Sequence, residues 1–211
     1  MNQPDQHLED IKVIKKLMEE SSRFLSLSGI SGIIAGLLAI AGAVVAKLII
    51  TGTSQPEDWY STPFASDPAA HRTVVLLFAD MAVVLVLSLA VAVLFSSRKA
   101  RKSGHSAWTH ITRRMLASLF IPLVTGGLFI LITIGRVPAS VTIASTLIFY
   151  GLAVISAGKF TLGEIHWLGV LEVVTGLICL LLPQWSIVIW AVGFGAIHII
   201  YGLLMHLRYK G

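Results

Sequence analysis

A chain of 211 residues that is 55% hydrophobic and only 13% charged lies outside the composition of soluble domains, which excludes a water-soluble globular fold. At roughly 20 apolar residues per span, this length accommodates about six transmembrane helices with short connections and no separate soluble domain. The formal charge of +5 reads as the basic flanks of membrane spans and not as a nucleic-acid footprint.

In chain order, residues 1–23 are polar and precede an apolar run that is too long for a cleaved signal sequence. Within them, Leu8, Ile11, Ile14 and Leu17 or Met18 recur at helical spacing, with Lys12, Lys15, Lys16, Glu19 and Glu20 mostly on the other side. This predicts an amphipathic helix lying on the membrane or pairing with itself. The remaining residues 24–211 read as one domain of six spans, at about 24–49, 73–95, 114–134, 139–157, 166–182 and 185–206. Ser96–Arg114 is expected to be a basic loop, and tight turns are expected around Val137-Pro138, Lys159–Glu164 and Pro183-Gln184. The fold class is therefore an all-α polytopic bundle.

Basic residues set the orientation. With both termini in the cytoplasm, Lys12, Lys15, Lys16, Arg23, Arg98, Lys99, Arg101, Lys102, Arg113, Arg114, Lys159, Arg208 and Lys210 stay inside, and only Lys47, Arg72 and Arg136 are translocated. Thirteen against three is a strong asymmetry, because basic side chains resist translocation whereas acids contribute little. The expected location is a bacterial inner membrane. Arg98, Lys99, Arg101 and Lys102 form a cluster that suits anionic lipid headgroups at roughly 1 kcal/mol per charge.

The longest outer segment, Thr51–Arg72, interleaves Pro56, Pro63 and Pro68 with Trp59, Tyr60 and Phe64, aromatics expected to anchor at headgroup level. In the first span Ser28, Gly32 and Gly36 stand four residues apart, a small-residue stripe that lets two backbones approach closely. It fits internal packing or a homo-oligomer seam. Two stretches of the second half look alike: Thr125-Gly126-Gly127-Leu128 to Lys159 and Val174-Thr175-Gly176-Leu177 to Lys210, each with a proline at its turn and a Tyr-Gly-Leu near its end. They read as a parallel repeat of two hairpins.

Gly169, Gly176, Pro183, Gly195 and Gly202, set in a run of Leu, Ile and Val, resemble the glycine-and-proline hairpin of the HdeD-like membrane proteins of bacteria. The resemblance covers Gly169–Leu204. It implies six spans and a role in acid stress; the long outer loop and the amphipathic N-terminal helix depart from that pattern.

Three ionisable side chains fall deep inside spans: Asp80, Glu172 and His198. Each costs roughly 2.5 to 3.5 kcal/mol to insert and so needs a partner or water. The fifth and sixth spans turn near Pro183–Trp185, so positions in them whose numbers sum to about 369 are level. Glu172 and His198 satisfy this, which leaves an ion pair or hydrogen bond open, as a structural clasp or a proton relay. Asp80 would extend such a path or bind a neighbouring hydroxyl. His166 and His206 meet the same rule at the cytoplasmic mouth and are the candidates for a metal or haem. Cys179, the single cysteine, reads as a small buried hydrophobe.

No nucleophile beside a base, phosphate-cradling glycine loop or His-Glu-x-x-His spacing occurs. The expectation is accordingly no enzyme and no cofactor. Three functions remain, in order: a small structural or regulatory membrane protein working through helix contacts, a proton- or ion-coupled transporter or channel, and a haem or metal protein.

Overall fold

The structure is a computed structural model that describes residues 29–53, 58–61, 63, 68–102 and 109–208. The amphipathic segment 1–23, Ser28, Phe64, His105 and Trp108 lie outside the described residues. Among those described there are helices and no strands. They are α1 (Gly29–Thr51), α2 (Pro68–Lys102), α3 (His110–Thr133), α4 (Ala139–Gly158), α5 (Gly163–Leu181) and a composite α6 (Pro183–Arg208). All six are long and apolar enough to cross a membrane.

The helices invert the soluble pattern. In α1 the buried positions include Gly36, Ala39, Ala43, Ala46 and Ile50, at three- and four-residue intervals, while Leu37, Val44 and Leu48 are exposed. Lipid tails are as apolar as leucine, so large side chains gain nothing by turning inward, and small ones let the backbones close up.

α2 and α3 extend beyond the limits the sequence predicts, α2 at its start as well, at Pro68 in place of Thr73. α2 does not stop at Phe95 but runs through Ser96 to Lys102, 35 residues in all. At 1.5 Å per residue that is about 52 Å, well beyond a hydrocarbon core of about 30 Å. Arg98, Lys99, Arg101 and Lys102 thus ride on a helical extension and not in a loop. α3 begins at His110, four residues early, because Thr109 caps it: the Thr112 N–H donates to Thr109 Oγ1 at 3.2 Å, completing a reciprocal box. Hydropathy registers neither feature, since both lie in polar sequence.

α4, α5, α6 and α1 form the core. α2 packs on α1 and α3 on α4, one on each flank, and α2 and α3 scarcely touch each other. The small stripe of α1 is occupied within the chain: a Cβ on Gly36 would lie 2.6 Å from the Gly195 oxygen, and one on Gly32 would lie 3.2 Å from Gly202 Cα. A homo-oligomer through that stripe would have to displace α6.

The two Tyr-Gly-Leu sequences do the same job. Gly151 meets Gly169 where α4 crosses α5, and Gly202 meets Gly29 where α6 crosses α1. In each pair, a methyl on either glycine would strike the backbone oxygen of the other.

Trp59 and Tyr60, on a short 3-10 turn (Asp58–Tyr60), are buried against Ile50 and Ala139. They therefore close one end of the bundle from within and do not anchor in headgroups. Lys47 Nζ lies 5.6 Å from the centroid of the Tyr60 ring, a cation-π contact. The Tyr60 hydroxyl is buried without a hydrogen bond, and burial pushes its pKa up. The fold favours the neutral phenol, so this contribution is complete below the ordinary tyrosine value and is lost as pH rises past it. Tyr60→Phe is expected to raise stability by about 1 kcal/mol near neutrality and to flatten its decline above about pH 10, read from unfolding midpoints across pH.

Candidate functional site

α5 buries one stripe, Leu168, Glu172, Thr175 and Cys179, against its neighbours, and Glu172 is completely inaccessible. Facing it, α6 is irregular. A 3-10 turn (Pro183–Trp185) and one α-helical turn (Ser186–Trp190) lead into a π-helical segment (Ala191–Ile197), after which the α-helix resumes at His198–Arg208. A π-turn widens the helix and redirects the side chains around it. Gly193, inside it, lies so close to α5 that a Cβ there would be 2.9 Å from Glu172 Oε2.

His198, the first residue after the π segment, joins three helices. Its Nδ1 lies 3.2 Å from Glu172 Oε1 on α5 and 3.3 Å from the Gly193 carbonyl, and its Nε2 lies 2.8 Å from the Tyr150 hydroxyl on α4. With a neutral imidazole, the Tyr150 O–H donates to Nε2 and the Nδ1–H is left to serve the other side. That N–H is aligned with the Gly193 oxygen, which leaves Glu172 at ion-pair distance but with neither carboxylate oxygen in a well-aligned hydrogen bond.

Aromatic rings wall the chain of groups. Phe194 stacks on His198 at 5.9 Å and touches Tyr150 and Trp190, each at 4.9 Å. The Trp190 indole N–H donates to Thr146 Oγ1 at 3.0 Å. Such burial excludes water and strengthens each polar contact inside.

The structure thus brings Glu172 and His198 together, and Asp80 is elsewhere. Asp80 sits on α2 beside Gly42 of α1 and lines an apolar cavity under Trp59. No described residue hydrogen-bonds or ion-pairs with it.

His166 is exposed with its backbone against Gly158 of α4, whereas His206 starts its side chain beside Gly29 of α1. Among the described residues no group of three His, Cys, Asp or Glu side chains is arranged to hold a metal ion. The mouth of the α5–α6 hairpin is instead bridged by Arg208 and Glu164 at 2.8 Å, a largely exposed pair worth at most about 1 kcal/mol. Cys179 is fully buried beside the backbone oxygens of Ser140 and Ser186.

Sequence reasoning missed Tyr150 and the π segment. Tyr150 belongs to the preceding hairpin, 48 residues from His198, so no rule for adjacent helices reaches it. Its place in the repeated Tyr-Gly-Leu is the one signal that marked it. No known protein family, curated protein or solved structure matches the chain.

Proposed function

We propose that this is a small structural or regulatory membrane protein that works through helix contacts, with Tyr150, His198 and Glu172 as the clasp that fixes α4, α5 and α6. The observation that carries the reading is one imidazole touching a half-buried phenol on one helix and a buried carboxyl on another. The close glycine crossings of α4 on α5 and α6 on α1 supply the rest of the contact. Both termini face the cytoplasm of a bacterial inner membrane, as the thirteen-to-three basic asymmetry favours. The basic extension of α2 then meets anionic headgroups at the inner leaflet. A stress-related role is in keeping with the resemblance of Gly169–Leu204 to the HdeD-like hairpin.

A second reading, proton-coupled transport, draws on a different observation: neither Glu172 oxygen has an aligned donor, and the partner helix is π-wound at that level. A carboxyl left so in a dry core is costly until a proton, a water or a cation completes it. A haem or metal role rests on His166 and His206 alone, and an absorbance spectrum with metal analysis of purified protein tests it.

Proteoliposome proton flux decides between the first two. The clasp reading predicts that Glu172→Gln lowers stability by about 1 to 2 kcal/mol and leaves proton flux at the level of the wild type. Loss of a wild-type flux in a well-folded Glu172→Gln protein would replace it with the transport reading.

A further inference from the structure

The cavity under Trp59 is separate from the clasp. It measures about 70 Å³ and is lined by Gly42, Ala43 and Ala46 of α1, Phe78 and Asp80 of α2, Thr142 of α4 and Trp190 of α6, with Trp59 closing its end. That volume exceeds the room one water needs, about 10 to 15 Å³, and is less than half of a cavity of about 150 Å³ that admits benzene, so it holds a head group of a few heavy atoms and no ring. Its walls are almost wholly apolar, with two polar exceptions. Asp80 has no partner among the described residues, and the Thr142 hydroxyl is buried without a hydrogen bond.

Three features of the lining select a ligand class. A carboxylate in an apolar wall is completed most favourably by a positive charge. The rings of Trp59, Phe78 and Trp190 offer faces that attract cations and apolar groups alike. A bare metal ion is a poor fit, because hard cations take six or more oxygen ligands and the lining supplies one carboxylate and one hydroxyl.

Access points the same way. None of the apolar stretch of α2 is buried within the protein, and α2 scarcely touches α3, so the Asp80 helix is bordered by lipid on its outer flank. A molecule partitioned into the bilayer can reach the cavity sideways. We propose that this cavity binds the head of a lipophilic organic cation, its ammonium group at Asp80 and Thr142 and its apolar tail in the lipid beside α2.

The test uses the full chain in lipid nanodiscs, with dodecylammonium as the probe and dodecanol as its neutral isostere. Binding is followed by tryptophan fluorescence, since Trp59 and Trp190 both line the space. The expected result is saturable binding of the cation alone, weakened about tenfold or more by Asp80→Asn and kept within a few-fold by Asp80→Glu. Ala46→Leu, which fills the cavity and keeps the carboxylate, is expected to abolish binding and serves if Asp80→Asn does not fold. Equal binding of the neutral isostere, unchanged binding in Asp80→Asn or Ala46→Leu, or no saturable binding by the wild type would each overturn the proposal. The cavity and the clasp share only the Trp190 wall, and none of the substituted residues belongs to the clasp, so these outcomes leave the clasp reading as it stands.

Discussion

Replacing His198 with alanine is expected to cost about 3 kcal/mol or more, measured as the unfolding free energy of the protein in mixed micelles. Two effects bear on the size. Interhelical hydrogen bonds in lipid average only about 0.6 kcal/mol, because the unfolded chain in the membrane also finds partners. Losing the Tyr150 contact alone would therefore be mild. Glu172, however, is completely buried, and removing the imidazole at ion-pair distance from it leaves an uncompensated carboxyl in the core, as breaking a buried pair does, a change that costs about 3 to 5 kcal/mol. The second effect should win. It carries its own control: Glu172→Leu combined with His198→Leu removes both polar partners and should recover most of the loss, as apolar replacement of a buried pair often does. A double variant as unstable as His198→Ala would show that the site depends on shape and not on polar pairing.

Gly169→Ala should be nearly as damaging, at about 2 to 3 kcal/mol, the upper part of the range for overpacking. A methyl there would lie 2.7 Å from the Gly151 oxygen and 2.7 Å from the Ile155 nitrogen. Both are backbone atoms of a helix and cannot step aside, so α4 and α5 must separate along their whole contact. Gly127→Ala is the matched control on α3, because nothing lies within 4 Å of its would-be Cβ. There the substitution should stabilise by up to about 1 kcal/mol through helix propensity. Comparable losses at the two positions would mean that glycine serves the helices' flexibility and not their approach.

The topology was legible because hydropathy reports burial in lipid directly, and six apolar stretches correspond to the six helices. Hydropathy reports nothing about helices that continue past the membrane, which is why the last turns of α2 and the capped start of α3 were read as loop. Glu172 and His198 could be placed level because a hairpin's two strands of sequence count toward each other from their turn. Tyr150 lay beyond that arithmetic, on a helix brought in by the glycine crossing of α4 and α5. Trp59 and Tyr60 were misplaced at headgroup level for a related reason: an aromatic beside a span looks the same in sequence whether it faces lipid or caps a cavity. The π segment leaves no periodic trace, and Gly193 and Gly195 were its only outward sign.

The most direct test of the clasp is nitrogen-15 NMR of histidine-labelled protein in lipid, comparing the ring nitrogens of His198 in the wild type, Glu172→Gln and Tyr150→Phe. The geometry predicts that Tyr150→Phe moves chiefly Nε2 and Glu172→Gln chiefly Nδ1, with the fold otherwise unchanged. His198 resonances that stay put in both variants would contradict the three-helix clasp and, with it, the helix-contact reading of this protein.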